Sequence, residues 1–398
     1  MRILFLSDAY LPHAGGARVY YHELYSRLAL RFGHHVTVVT TVGGQDAGAF
    51  DRAVCSDTFR IQRRHRPLES RKLKYWPKVI PAMFETLFDL WKERPDVVHF
   101  GDLFPQGTTC LLLKKLFGIR YSGYCHGEEV TQTALRRIQP FVRNSIYKNA
   151  DCVIAANDFA RRELLRVGVA PERMVKVLPG VDCRRFHPSP KPKDLLERYH
   201  LEEKLVLLTV SRLVPRKGHT TVIDALAELL PTMPNIRYVI CGTGPYECEI
   251  RACAEARGVA NAVIFAGYVS PADLPRYYNL CDIFVLANTV EKTTGDTEGF
   301  GMVFLEASAC GKPVISGIEG GTQEAVDEGV SGYRVDARSA GAIATVIRRL
   351  IDNQALREQL GNNGLRRVHR DFDWDKAAAD LHNAISALEC SEQCNVMV

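Results

Sequence analysis

Apolar residues along this chain gather in short runs more often than they alternate with polar ones. In the first half "RILFLSD", "HHVTVVTT", "PDVVHFG", "YSGYCH", "DCVIAAN" and "VKVLPG" follow one another. Helical patterns separate them, such as Ala17 to Phe32 and Pro140 to Asn149. A strand that is apolar on both sides belongs to a sheet buried on both faces, and such sheets are parallel. The pattern therefore predicts strand and helix in alternation, a doubly wound α/β sheet.

The rhythm breaks once. Residues 186–194, "FHPSPKPKD", hold three prolines and two lysines and predict a linker. After it the alternation restarts with "KLVLLTVSR", "IRYVICGTG", "AVIFAG", "CDIFVLA", "PVISG" and "GYRVD". Two Rossmann-like domains are expected, over residues 1–187 and 188–372. The length agrees, because 398 residues are too many for one ordinary domain. In such sheets ligands bind beyond the carboxyl ends of the strands, so a cleft between the two domains is the expected site. The residues to weigh are those just after strands: 8–16, 126–129, 212–217, 242–244, 267–270 and the stretch from 298.

Composition narrows the classes. Hydrophobic content of 46% and charged content of 24% are ordinary for a globular protein. A net charge of +5 is small for this length and gives no reason to expect nucleic acid. Twelve cysteines without a CxxC pair or a Cys/His cluster read as reduced thiols of a cytosolic protein. No apolar run approaches the roughly 18–20 residues of a spanning helix. "MRILFLSDAY" is cut short by Asp8 and lacks a small-residue cleavage site, so no secretory leader is expected.

The chemistry concentrates in "EGFGMVFLEASACGKPVI", residues 298–315. It follows the strand "CDIFVLA" and a polar loop, and a helix should begin near Gly301 or Met302 and stop before Pro313. Glu298 lies before that helix and Glu306 about one turn inside it. Gly299 and Gly301 allow a close backbone approach. The amides of Phe300, Gly301, Met302 and Val303 form a helix N-terminus suited to anionic or hydroxyl oxygens. Two carboxylates and a row of donors along one path suit vicinal hydroxyls and phosphate. Either glutamate alone would read as a solvated residue. Arg212 and Lys217 flank the turn after "LVLLTV", where two cations can clamp a diphosphate. "DAYLPHAGGARVYYHEL" reads as strand, Gly-rich loop and helix. It lacks the GxGxxG spacing of a dinucleotide site, and as a bare pattern is a tight turn.

The stretch from Glu298 to Ile315, with Glu-x7-Glu, closely resembles the signature of retaining glycosyltransferase family 4, also called group 1. Further marks of that family stand in order: the "GG" at 15–16, His126, "NDFARREL", "VLPGVDCRRFHP", "SRLVPRKGHT", "CGTGP", "FAGYVS" and "GGTQEAV". The resemblance implies the GT-B fold, two Rossmann-like domains facing a central cleft. It implies a hexose donor, a UDP-sugar or GDP-sugar, held by Arg212 and Lys217 at the diphosphate and by Glu306 at the ribose. It assigns Glu298, with the amides of Phe300 to Val303, to sugar hydroxyls and phosphate, and Val269 to the base. Gly16 falls near phosphate and acceptor, and His126 near the donor sugar, so that His126 and Glu298 are the expected catalytic pair. It also implies that a helix over 374–390 crosses back to the first domain. Attack on the donor from the face that the diphosphate leaves, through an oxocarbenium-like state, keeps the α configuration. No metal and no cofactor is implied. The chain does contain an Asp-x-Asp, Asp371 and Asp373, but Asp373 or Asp375 reads as a helix start.

The acceptor side is quieter. Residues 60–78, "RIQRRHRPLESRKLKYWPK", carry eight Arg/Lys and one Glu, with Leu73, Tyr75 and Trp76 between them. Arg136, Arg137, Arg143 and Lys148 form a second basic cluster. Two readings stay open, a solvated face or a contact with an anionic membrane that admits a lipid-linked acceptor. A saccharide acceptor is the alternative. The expected location is the cytoplasm, with the inner face of the cell membrane as the peripheral option. A nucleotide-sugar-binding protein and a nucleotide-sugar epimerase are the competing functions. Against the first stands the Arg212/Lys217 pair, and against the second the Glu-x7-Glu spacing.

Overall fold

A computed structural model of the chain describes residues 1–13, 15–41, 46–64, 76–131 and 140–395, with side chains described except at 76–78 and 388–395. Two compact units result. One joins Met1–Pro179 with Trp374–Val398, and the other is Gly180–Asp373.

The described strands of the first unit are β1 (Arg2–Leu6), β2 (His35–Thr41), β3 (Phe59–Arg64), β4 (Val97–Phe100), β5 (Tyr121–Cys125), β6 (Cys152–Ala155) and β7 (Met174–Lys176). They stand in the order β3-β2-β1-β4-β5-β6-β7, and every pairing is parallel. The second unit carries β8 (Leu205–Val210), β9 (Ile236–Cys241), β10 (Val263–Gly267), β11 (Ile283–Leu286), β12 (Val314–Gly317) and β13 (Gly332–Val335). Their order is β10-β9-β8-β11-β12-β13, again all parallel. The apolar runs explain this directly. Leu4, Phe5, Val98, Leu208, Val239 and Phe284 are fully buried with helices on both faces, so hardly a polar position survives in the central strands.

Each sheet reverses its winding once. In the first unit the reversal lies between β1 and β4, in the second between β8 and β11. Loops leaving two such neighbouring strands diverge to opposite faces, which opens a crevice at their carboxyl ends. Those two places are where the site must be sought.

The final helix, Trp374–Asn395, belongs to the first unit and lies along the helix Gly16–Phe32. Asp375 in its first turn pairs with Arg27 at 2.9 Å and Arg31 at 2.6 Å. Trp374, Ala378, Leu381 and Ile385 are buried. His382 stacks on Phe32 with centroids 4.4 Å apart.

Three expectations need correction. Residues 180–187 belong to the second unit, because the Val181 amide donates to Phe372 O at 2.9 Å and Phe186 packs edge-on against Tyr278. The proline-rich 186–194 is not a free linker. Its Ser189 amide donates to Asn279 at 2.8 Å and Lys191 pairs with Asp282 at 2.7 Å. The third concerns β3, which the apolar pattern does not reveal. It is an edge strand with only Phe59 fully buried, and its arginines are part of the fold. Arg63 binds both oxygens of Asp51 at 2.7 Å, and Arg64 pairs with Glu85 and Asp89. Arg63 and Arg64 of the supposed basic patch are thus spoken for, while Arg60 is exposed. Residues 65–75, and Arg136 and Arg137, lie outside the described residues.

Candidate active site

At the β8/β11 reversal the chain leaves β8 through Ser211–Gly218 and turns into the helix His219–Leu229. Gly218 has φ +68°, and a Cβ there would lie 2.0 Å from Ala287 O. Only glycine lets this turn press against the end of β11. The contact carries Arg216 and Lys217 inward, where they are 7% and 8% exposed. The loop after β11 meets them. Arg216 Nη1 donates to Glu298 Oε2 at 3.0 Å and Arg216 Nε to Asp296 Oδ2 at 2.9 Å. Lys217 Nζ donates to the same Glu298 oxygen.

Two buried cations on one carboxylate form an ion cluster that must stay charged as a set. Burial pushes Glu298 up, but Lys217 and Arg216 outweigh it and hold its carboxyl below the usual range. Burial lowers Lys217, against the pull of Glu298, with Arg216 and Arg212 adding to the decrease. Arg212 is thus close enough to be felt, although it is exposed. The sequence pairs Arg212 with Lys217. In the folded unit Arg216 is the residue that shares Glu298 with Lys217, and Arg212 stands on the outer side of the same turn. Glu298, expected on sugar hydroxyls, has one oxygen committed to these cations. An ammonium has three N–H donors, and Glu298 accepts from one.

The helix Met302–Ala309 begins beside this cluster. Its cap is Gly301 with φ +85°. A Cβ there would sit 2.5 Å from the Phe304 ring. The first amides of a helix have no carbonyl one turn back, so Met302 and Val303 present N–H groups at a positive helix end. Phe300 is buried against Phe372, centroids 6.1 Å apart, which anchors the approach. Glu306 accepts from Tyr278 Oη at 2.6 Å. Burial pushes its carboxyl up to about 7, against the Tyr278 hydroxyl and the Arg185 charge. Val269 lies in the loop after β10, half-buried. The second unit therefore brings Arg212, Lys217, Glu298, Gly301, Met302, Val303 and Glu306 to the carboxyl end of its sheet, around its reversal.

The first unit assembles a separate group at β1 and β4. Asp102, two residues past β4, accepts from Ser7 Oγ at 2.8 Å and the Asp8 amide at 2.6 Å. Burial raises its carboxyl, while those donors resist. Gly16 opens the helix Gly16–Phe32. His126 follows β5, with its Nε2 2.9 Å from Tyr21 Oη. Tyr21 Oη is also 3.0 Å from Gly101 O, which can only accept. The one tyrosine proton goes to that carbonyl, so His126 Nε2 must donate, and its Nδ1 keeps a lone pair. This tautomer is inferred from the network. Burial lowers the His126 pKa against the pull of Glu128 and Asp102, so the ring is neutral near pH 7. The His126 amide donates to Glu129 Oε2 at 2.9 Å, and burial pushes Glu129 up to about 7 despite that bond.

Sequence reasoning passed over Arg216, Asp296, Tyr278, Tyr21 and Asp102. Asp102 could have been found, since it follows a strand. Arg216 is adjacent to Lys217, and no linear signal says that it turns inward. Tyr278 and Tyr21 sit on helices among other apolar residues. The Asp-x-Asp stands elsewhere. Asp371 ends the helix Gln354–Asp371, bound by Arg370, and Asp373 immediately precedes the final helix.

Comparison with known proteins bears on the family and the fold. The family model "Glycosyl transferases group 1" matches residues 194–367, and "Glycosyl transferase 4-like domain" matches 15–180. A GDP-mannose-dependent alpha-(1-6)-phosphatidylinositol monomannoside mannosyltransferase of Mycobacterium tuberculosis is 31% identical over 96% of this chain and 97% of its own length. The protein of the same description from Mycolicibacterium smegmatis is 29% identical over 96% and 98%. Among solved structures, sucrose-phosphate synthase of Thermosynechococcus elongatus superposes with TM-score 0.81 at 24% identity, covering 98% of this chain and 99% of that one. Anabaena HepE in complex with UDP-glucose gives 0.80 at 19%, covering 97% and 100%. These likenesses carry the fold, and the relatives and family models carry the class. The chain belongs to the group 1 glycosyl transferases, glycosyltransferase family 4, and is a glycosyltransferase of GT-B fold.

Proposed function

We propose that this glycosyltransferase moves mannose from GDP-mannose to a hydroxyl of a phosphatidylinositol-type glycolipid, with retention and without a metal. The observation that carries the donor half is the cation cluster at the β8/β11 reversal, Arg212, Arg216 and Lys217, beside the amide end capped by Gly301. A diphosphate needs both positive charge and aligned donors. Support for mannose and for the lipid comes from the mycobacterial relatives, which match over nearly their whole length.

In this reading Lys217, Arg212 and the amides of Met302 and Val303 hold the diphosphate and stabilise the charge that it gains as the C1–O bond breaks. Glu306 takes the ribose hydroxyls. Glu298 keeps Arg216 and Lys217 in place and leaves its second oxygen for a donor hydroxyl. Val269 stands where the base would run along the chain. In the first unit Gly16 serves the phosphate and acceptor side. His126, through Nδ1, accepts from a sugar hydroxyl. The acceptor attacks C1 from the face that the diphosphate leaves, and its proton goes to a departing phosphate oxygen. Fixed cations do the work of a metal, and the lipid acceptor places the enzyme at the inner face of the cell membrane.

The test is direct. Purified protein is incubated with GDP-mannose or UDP-glucose and a phosphatidylinositol mannoside, with and without EDTA, and the product is read by mass and by anomeric NMR. An α-mannoside made from GDP-mannose alone, at equal rate with EDTA, is expected. Transfer from the UDP-sugar, a β product or loss of turnover with EDTA would each remove its part of the reading.

A further inference from the structure

The helix Trp76–Glu93 wears its amphipathicity reversed. Its buried positions include Val79, Ala82, Thr86 and Asp89. Its large apolar residues face out: Ile80 is 53% exposed, Phe84 65%, Phe88 58% and Trp91 72%. At about 100° per residue these four fall within an arc of roughly 80°, opposite the buried set. A surface helix of a solvated protein turns such residues inward, so this stripe is built for something that covers it.

The charges say what. Glu85 and Asp89 are both drawn toward β3, where Arg64 pairs with each. Glu93 accepts from Gln62 at 2.9 Å, also on β3. The acids of the helix are thus gathered on the side of the sheet, and the stripe carries none. Lys92 borders it, its side chain 54% exposed and its ammonium 3.4 Å from Glu93 Oε1. The helix Thr108–Phe117 contacts this one and ends in exposed Lys115, Leu116 and Phe117. An apolar stripe with two phenylalanines and a tryptophan, bordered among the described residues by Lys92 and free of acids, matches an anionic lipid surface: rings enter the acyl boundary and ammonium groups stay among headgroups. A second copy of the chain fits less well, since a two-fold contact sets like charges against one another.

We propose that the outward face of this helix, through Ile80, Phe84, Phe88 and Trp91 with Lys92 at its edge, lies in the interfacial layer of an anionic bilayer. This deepens the reading of a lipid acceptor and rests on it for its purpose, but its test needs no acceptor. The full chain is floated with vesicles of phosphatidylcholine alone or with phosphatidylglycerol, neither of which is a mannose acceptor. The same is done for Phe84→Ser/Phe88→Ser/Trp91→Ser, after its melting temperature and GDP binding are shown to match wild type.

Wild type should float with the phosphatidylglycerol vesicles and less with phosphatidylcholine. The triple variant should lose at least tenfold of that binding, and Lys92→Glu should lose several-fold and become less sensitive to salt. Wild type that stays with neither vesicle, or a variant that floats like wild type, overturns the proposal. So does a wild-type dimer by sedimentation that the triple variant breaks, which would give the stripe to a second copy. A soluble acceptor found in the transfer assay, with flotation intact, would remove the lipid reading of the reaction and leave the membrane face standing.

Discussion

At the scale of residues, two carboxylates of one motif are driven in opposite directions by where they sit. Glu298 meets two cations and stays ionised, whereas burial pushes Glu306 up to about 7 against the hydrogen bond it accepts from Tyr278. A carboxyl whose folded pKa lies above its unfolded value contributes stability that is complete below the unfolded pKa and lost as pH rises through 7. On the proposed role of Glu306 donor binding should run the other way, because an ionised carboxylate accepts from both ribose hydroxyls. GDP-mannose, whose diphosphate has no ionisation near neutrality, should bind more tightly as pH rises toward 7. Below that the affinity should fall about tenfold per unit. Calorimetry from pH 5.5 to 8.5 reads this, and Glu306→Gln should bind weakly with a flat profile. In the proposed reaction Tyr21 acts through His126, whose Nε2 lies 2.9 Å from the tyrosine hydroxyl. Tyr21→Phe should leave the GDP-mannose affinity unchanged and lower kcat about tenfold, since it frees the ring to take the other tautomer. Equal loss in a His126→Ala background would show that Tyr21 acts by another route.

At the scale of elements, both unit sites stand where the winding reverses, and each needs a turn to bring charge inward. Gly301 is the clearest case. Its left-handed φ starts the helix Met302–Ala309 beside Glu298, and any Cβ would meet Phe304. Gly301→Ala should cost about 1–3 kcal/mol of stability. It should also weaken GDP-mannose binding, whereas Gly258→Ala, strained at a φ of +68° but with nothing within 4 Å of its Cβ, should cost stability and leave that binding unchanged. Both are read by denaturant titration and calorimetry. The strand pattern was legible wherever strands are central, because burial on both faces leaves an apolar run. It failed at β3, since an edge strand needs only one buried side and β3 spends its other positions on Arg63 and Arg64. Those same arginines look, in one dimension, like part of a membrane patch. The apolar stripe from Ile80 to Trp91 lies next to them and was invisible, because a helix pattern gives a face but not which way the face turns.

At the scale of the whole molecule, the chain leaves the first unit after Pro179 and returns to it at Trp374. The last helix covers the helix Gly16–Phe32 with Leu381 and Ile385 and ties it through Arg27 and Arg31 to Asp375. A chain ending at Asp373 should melt several degrees lower and lose transfer. It should still bind GDP-mannose, because every residue assigned to the donor in the second unit lies within 180–373. Differential scanning calorimetry with and without GDP-mannose checks both halves, and loss of GDP-mannose binding would mean that the second unit cannot hold its site alone.

The sequence by itself determined the alternation of strand and helix, the count of two domains, and the turns that follow the strands of each sheet. Period and burial are properties of neighbouring residues, and the Glu-x7-Glu stretch keeps its spacing whatever surrounds it. Tertiary structure decided which charges meet. Arg216 rather than Arg212 shares Glu298, Tyr278 reaches Glu306, and Tyr21 sets the tautomer of His126, each pair joined across at least 28 residues of chain. It decided too that residues 180–187 join the second unit, and that the aromatic side of one helix points outward. Contacts of that range depend on how sheets and helices stack, and no local pattern records them.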